Sequence, residues 1–354
     1  MSRLENVQKK LVEQGLDALL VTNMYNLRYV AHFTGTTGLA VITQKRAYFV
    51  TDARYTEQAS KQCTGFTIVQ NIGPILHEVK KIVSDESIKR LGIEDASMPV
   101  GEYDTLKHLV DAQLVFATGI IEDLRMIKDE EEMNTIRQAC QIADRAFEYI
   151  LTEVKPGVSE IELANKMDFY MRSLGATGVS FDTIVASGYR SAMPHGVASH
   201  KLIEKGDFIT FDFGCYYNGY VSDMTRTVSL GNPTHAQLKE IHHIVFEAQR
   251  LVNESVKAGM RASDMDKIAR DYITQCGYGD YFVHSTGHGI GLEIHEAPAI
   301  SRASKAILAP GYAITNEPGI YLPGIGGVRI EDDLFVHHDS VEIVTKSNKE
   351  LIIL

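Results

Sequence analysis

The sequence predicts a small α/β layer domain followed by an α+β domain built from two related halves. Three observations predict it. Helical and strand periodicities alternate through the first third, with no Gly-rich phosphate loop. Near Leu124 the composition shifts into the charge run Lys128-Asp129-Glu130-Glu131-Glu132. Beyond that run, a pattern of long helix, shorter helix and strands occurs twice. The length of 354 residues agrees, because single hydrophobic cores stop growing at about 250–300 residues.

The elements follow in order. Leu4, Val7, Leu11 and Val12 recur at helical spacing, and Gly15 is a stop signal. Strand-like runs come next at 17–22, Leu39–Thr43 and Ala47–Thr51. Helical stretches at 52–62 and 74–84 alternate with short strands at 66–69 and 91–94. The charge run is expected to open a helix, where acids suit the positive end of the dipole. The boundary is placed just before it, giving domains at 1–124 and 125–354.

In the second domain a helical segment at 130–153 ends at Pro156-Gly157, and a second at 159–174 ends at Gly175. Later, 234–257 ends at Ala258-Gly259 and 263–276 ends at Gly277. Aligning the halves pairs Ile136 with Ile241, Ala143 with Ala248, Gly157 with Gly259, Tyr170 with Tyr272 and Gly175 with Gly277. Two such halves can pack around a shared central cleft.

Charge narrows the function. Lys plus Arg is 35 against 46 Asp plus Glu, a net charge of −11, which disfavours binding to nucleic-acid backbone. The polar start of the sequence and the lack of a long apolar run predict a cytoplasmic protein without membrane contact. Cys63, Cys140, Cys215 and Cys276 form no CxxC pair and are expected to be reduced.

The most informative segment is Phe211-Asp212-Phe213-Gly214 and Ser222-Asp223-Met224-Thr225-Arg226, flanking Asn218-Gly219. Asn-Gly between strand-like runs is a strong hairpin signal. A two-residue turn there sets Tyr217 opposite Tyr220 and Asp212 opposite Thr225. Asp223 then lies diagonal to Asp212, about 7–8 Å away on the same face. Asp is depleted in strands, so one on each strand points to ions held between them. The competing reading is a solvated hairpin face.

Three further segments carry candidates. In Gly287-His288-Gly289-Ile290-Gly291, glycines bracket a histidine and allow close backbone approach. Glu317 ends an apolar run just before Pro318-Gly319. In Val328-Arg329-Ile330-Glu331-Asp332, alternation puts Arg329 and Glu331 on one face. Each Glu alone reads more simply as a surface residue near a turn. Together, Asp212, Asp223, His288, Glu317 and Glu331 supply four carboxylates and one imidazole, enough negative charge to balance two divalent ions. Two such ions about 3.5–4 Å apart form a hydrolytic arrangement.

These five motifs, in this order, resemble the prolidase and aminopeptidase P group of dinuclear-metal peptidases, which is related to methionine aminopeptidase. Asn26-Leu27-Arg28-Tyr29 and Phe33-Thr34-Gly35 extend the resemblance into the N-terminal domain. The resemblance implies a creatinase/prolidase-type N-terminal domain and a "pita-bread" catalytic domain with an internal pseudo-twofold repeat. It implies that Asp212 chelates one ion, that Asp223 and Glu331 bridge both, and that His288 and Glu317 complete one. Glu317 would also be the general base toward a metal-bridged hydroxide. His195 and His295 match pocket histidines, the latter suited to the scissile carbonyl or its oxyanion, and His284 matches a wall position near the proline ring. Arg329 would bind a substrate carboxylate or orient a ligand.

The implied activity is hydrolysis before proline, as an Xaa-Pro dipeptidase, with small peptides carrying proline second as substrates. The alternative is aminopeptidase P action on longer peptides. A creatinase-type or peptide-binding relative without catalysis would lack several of the five ligands. Mn²⁺ is the expected ion, with Co²⁺ and Zn²⁺ as alternatives, and a homodimer is expected. Asn316 departs from the group, which carries a small or β-branched apolar residue there, so the site is expected to be slightly perturbed. His200, His242, His243, His337 and His338 are expected on the surface.

Overall fold

A capping box opens the first helix, Arg3–Gln14: Ser2 Oγ accepts from the Glu5 N–H at 3.2 Å, and the Glu5 carboxylate accepts from the Ser2 N–H at 2.6 Å. The computed structural model describes residues 2–354, and their contacts divide into two units, one running to Arg125 and the other Met126–Leu354.

The first unit is one mixed six-stranded sheet with helices. Its strand order is Thr67–Gln70, Ala47–Thr51, Leu39–Thr43, Ala18–Val21, Arg90–Ile93, Gln113–Phe116. The helix Ile75–Asp85 buries Val79, Ile82 and Val83 against Leu20, Val41, Val50, Leu91 and Ile93. The sequence reading missed the helices Met24–Ala31 and Val100–Leu109 and the strand Gln113–Phe116. Met24–Ala31 buries Asn26, Leu27, Tyr29, Val30 and Ala31, so its burial lacks the 3.6-residue period that betrays a surface helix. Asn26 holds it in place: its amide donates to Glu94 at 2.6 Å and Glu122 at 2.7 Å and accepts from Arg125 at 2.8 Å.

The second unit is α+β and carries the expected repeat. Helices Glu130–Leu151 and Glu160–Ser173 form one half, and Gln237–Ser255 and Ala262–Gln275 the other. The aligned glycines share one conformation: Gly157 and Gly259 have φ of 87° and 86°, and Gly175 and Gly277 have 105° and 88°. Those positive values suit glycine. The Gly157 N–H donates to Ile203 O and the Gly259 N–H to Leu308 O, both at 2.9 Å. Isolated bridges Ser159–Leu202 and Arg261–Ile307 also correspond.

Each half has its own core. Ala143, Phe147, Met167, Phe211 and Val228 anchor one, and Ile241, Val245, Met265, Ile314 and Leu334 the other. Strands Ile184–Ser187, Phe208–Phe213 and Met224–Ser229 form a three-stranded sheet. Strands Glu296–Ile300, Gly287–Gly289, Ala313–Asn316, Asp332–Val336 and Val341–Ile343 form a five-stranded one. The two are joined at the cleft, where the Glu331 N–H donates to Thr225 O at 3.1 Å and the Asp223 N–H to an Asp333 carboxylate oxygen at 2.9 Å.

His242 corrects the sequence reading. It is buried, not on the surface, against Phe208 on the face of the helix that also buries Leu238, Ile241 and Val245. Burial pushes its pKa down to about 4.

Candidate metal centre

The hairpin has the register its turn dictates. Tyr217 pairs with Tyr220, and Thr225 pairs with Asp212. The ladder breaks at Ser222 and Asp223, and the Asp223 backbone turns instead to Asp333. The strand Gly287–Gly289 brings His288 in from the other sheet. A Cβ at Gly287 would strike the Thr315 carbonyl, and one at Gly289 the Ala297 carbonyl. Glycine is therefore what lets these backbones close around the histidine.

Asp212, Asp223, His288, Glu317, Glu331, His195, His284, His295 and Arg329 all line one cavity of about 670 Å³. Within it, ligand atoms of Asp223, His288 and Glu331 lie within 4.8 Å of one another. His288 Nε2 is 3.5 Å from Asp223 Oδ2 and 3.4 Å from Glu317 Oε1. His288 Nδ1 is 3.1 Å from the Gly289 carbonyl; a proton on Nδ1 satisfies that acceptor and leaves Nε2 with a lone pair facing acids. Burial holds the imidazole neutral by lowering its pKa.

The carboxylates are strained electrostatically. Burial, then Glu331 and Asp212, push the pKa of Asp223 well above the carboxylate range. Burial, then Glu317 and Asp212, do the same for Glu331. Glu317 is pushed up to about 7, mainly by burial. Asp212 Oδ1 is buried with no hydrogen-bond partner among the described residues. Crowded buried acids, an orphaned carboxylate oxygen and an imidazole lone pair make a donor set that divalent cations fit.

Arg329 is built into this site. It is buried, and Nη2 pairs with Asp212 Oδ2. Nη1 donates to Tyr321 OH at 2.6 Å and Pro194 O at 3.2 Å, and Nε donates to Thr225 Oγ1 at 3.1 Å. Thr225 in turn donates to Glu331 Oε2 at 2.6 Å. Those contacts make it an orienting partner of two candidate ligands. Tyr321 OH also lies 2.7 Å from His284 Nε2, and His284 Nδ1 lies 2.8 Å from Ser285 O. Burial, then Arg329, hold His284 down to about 4, so it stays neutral. The His295 ring lies 4.4 Å from that of His288, edge to face.

Asn316 does not face the cavity. Its amide donates to Gln249 O at 3.0 Å and Asn253 Oδ1 at 2.8 Å, on the helix behind the strand. Strand alternation explains this, because Glu317 next to it takes the cavity side.

Sequence reasoning missed Tyr321, Thr225 and Glu296. Glu296 accepts from the Leu292 and Glu293 N–H groups at 2.8 and 3.0 Å and from Lys128 Nζ at 3.1 Å, bracing the turn that carries His295. Its position next to His295 was the available signal.

Comparison with known proteins follows this geometry. The model of metallopeptidase family M24 matches residues 134–338, and that of the Creatinase/Prolidase N-terminal domain matches residues 3–127. The solved Xaa-Pro dipeptidase from Bacillus anthracis superposes with a TM-score of 0.98 at 53% identity, over 99% of each chain. The Xaa-Pro dipeptidase of Pyrococcus horikoshii is 41% identical over 97% of this chain and 98% of its own. The X-Pro aminopeptidase from Thermotoga maritima has a TM-score of 0.92 at 38% identity, over 98% of this chain and 99% of its own.

Proposed function

Because the chain belongs to metallopeptidase family M24, we propose that it is an Xaa-Pro dipeptidase, cleaving the bond before proline in dipeptides. The observation that carries the reading is the convergence of Asp212, Asp223, His288, Glu317 and Glu331 on one cavity. The dipeptidases from B. anthracis and P. horikoshii support the substrate class.

In this reading Asp212, Asp223, His288, Glu317 and Glu331 hold two divalent ions, Mn²⁺ first, with Co²⁺ and Zn²⁺ as alternatives. Bound there, the ions supply Lewis acidity and lower the pKa of a water. The chain's own residues do the rest. Glu317 takes a proton from the attacking water as oxygen bonds to the scissile carbon, and passes it to the proline nitrogen as the C–N bond breaks. His295 donates to the oxygen that gains charge. His195 and neutral His284 bound the space for the substrate. Arg329 keeps Asp212 and, through Thr225, Glu331 in orientation. The Xaa-Pro bond is a tertiary amide with no N–H, so a dedicated pocket suits it.

A domain division at 1–124 and 125–354 is supported by contacts that cluster apart between Arg125 and Met126, one residue further on. A homodimer in the cytoplasm completes the reading, and the four free cysteines fit a reducing compartment.

The match to the T. maritima aminopeptidase favours a second reading, release of the first residue from longer peptides. Steady-state rates on Leu-Pro, Ala-Pro and matching tripeptides, with Mn²⁺, Co²⁺ or Zn²⁺ after chelation, test both. Higher kcat/KM for dipeptides is expected. Higher kcat/KM for tripeptides selects the second reading, and full activity in chelated protein overturns both.

A further inference from the structure

Asp182 lines the same cavity, yet no part of the chemistry above uses it. It is exposed, and among the described residues it has no hydrogen-bond or ion-pair partner. The other cavity acids are buried or half-buried and packed against His288, Arg329, Thr225, Thr315 or Lys128. Charge makes the contrast sharper. Four carboxylates balance two divalent ions, so Asp182 adds a negative charge that the ions do not need.

Its place just before the strand that flanks the metal centre says what could reach it. Ile184 is the cross-strand partner of Asp212, so it marks the level of the metal centre. Asp182 lies two residues back, in the irregular segment before the strand Ile184–Ser187, at most about 6.6–7.2 Å of backbone from that level. The α-ammonium of a dipeptide is only two bonds from the scissile carbon and stays near the metal level. A long side chain on that residue spans the additional distance. Phe181, Ile184, Val197 and Ile294 line the same cavity, an apolar surface for a methylene stem whose charged head ends at a carboxylate.

We propose that Asp182 is a specificity-determining residue that pairs with the cationic side chain of Lys or Arg at the position before proline. The inference rests on the Xaa-Pro reading and deepens it. The pair is a charge-assisted hydrogen bond at an exposed carboxylate, worth up to about fivefold in kcat/KM.

The experiment compares kcat/KM for Lys-Pro, Arg-Pro, Leu-Pro and Glu-Pro on the Mn²⁺-loaded enzyme. The variants are Asp182→Asn, Asp182→Lys and, as a control, Asp104→Asn on the other unit. The expected result is a fall of about two- to fivefold in the Lys-Pro to Leu-Pro ratio for Asp182→Asn. Asp182→Lys should move the preference toward Glu-Pro, and Asp104→Asn should leave the ratio unchanged. A ratio unchanged in Asp182→Asn, with Leu-Pro still hydrolysed, overturns the inference alone. A common rise in KM for all four substrates also overturns it, because Asp182 would then hold the α-ammonium. Absence of hydrolysis of every dipeptide by the wild-type enzyme overturns the Xaa-Pro reading itself.

Discussion

Replacing Asp223 by Asn should stabilise the metal-free protein while abolishing its response to divalent ions. Asp223 and Glu331 present ligand atoms within 4.8 Å of one another. Two unit negative charges at that separation repel by about 3.5 kcal/mol at an effective dielectric constant of about 20. Proton uptake relieves part of this, which is why burial and Glu331 push the Asp223 pKa upward. Asn has nearly the same shape and no charge. The Asp223 backbone N–H keeps its bond to Asp333. The gain in metal-free stability is therefore bounded at about 3.5 kcal/mol. At about 2–4 °C per kcal/mol for a unit of this size, that is a rise in Tm of up to about 7–14 °C. Ions reverse the order. At one hundred times Kd they add about 2.7 kcal/mol to the wild type, and the variant, lacking a bridging charge, gains far less. The assay is a thermal melt of both proteins with chelator and with Mn²⁺, alongside metal content and Leu-Pro turnover. A lower Tm for Asp223→Asn in chelator, with its Mn²⁺ stabilisation intact, would refute the placement of two crowded ligand acids.

Three other outcomes are expected. His295→Ala should lower kcat about 10²–10³-fold, the size of one lost oxyanion donor, with metal content unchanged; an unaltered kcat returns His295 to a structural role. Metal-free protein should lose stability as pH rises from 6.5 to 8.5. Glu317 at about 7 and Asp333 at about 8 hold protons in the folded state that the unfolded chain has already released, so denaturant titrations that show stability rising across this window contradict the burial of these acids. Arg329→Met should cost the metal-free protein about 3–5 kcal/mol, because it strands a buried Asp212 charge; a loss under 1 kcal/mol in urea melts would show that the pair is not formed.

The sequence by itself determined what is local. Asn218-Gly219 set the hairpin register residue for residue, since only one pairing lets a two-residue turn close. The glycines at 157, 175, 259 and 277 marked the repeat because each ends a helix or turn at positive φ. The candidate ligands were legible because carboxylates and histidine are out of place in apolar, Gly-rich strands. Tertiary structure decided what depends on partners distant in the chain. Arg329 meets Asp212 across 117 residues and Thr225 across 104, and only that meeting makes it an orienting group. Asn316 looked like a fault beside the site until the strand turned it toward Gln249 and Asn253. His242 resembles any polar residue on an amphipathic helix, and packing against Phe208 decided its burial. Asp182 gave no sequence signal, because an acid before a strand is ordinary. Its meaning comes from the cavity it enters, and a cavity exists only once separate segments have been brought together.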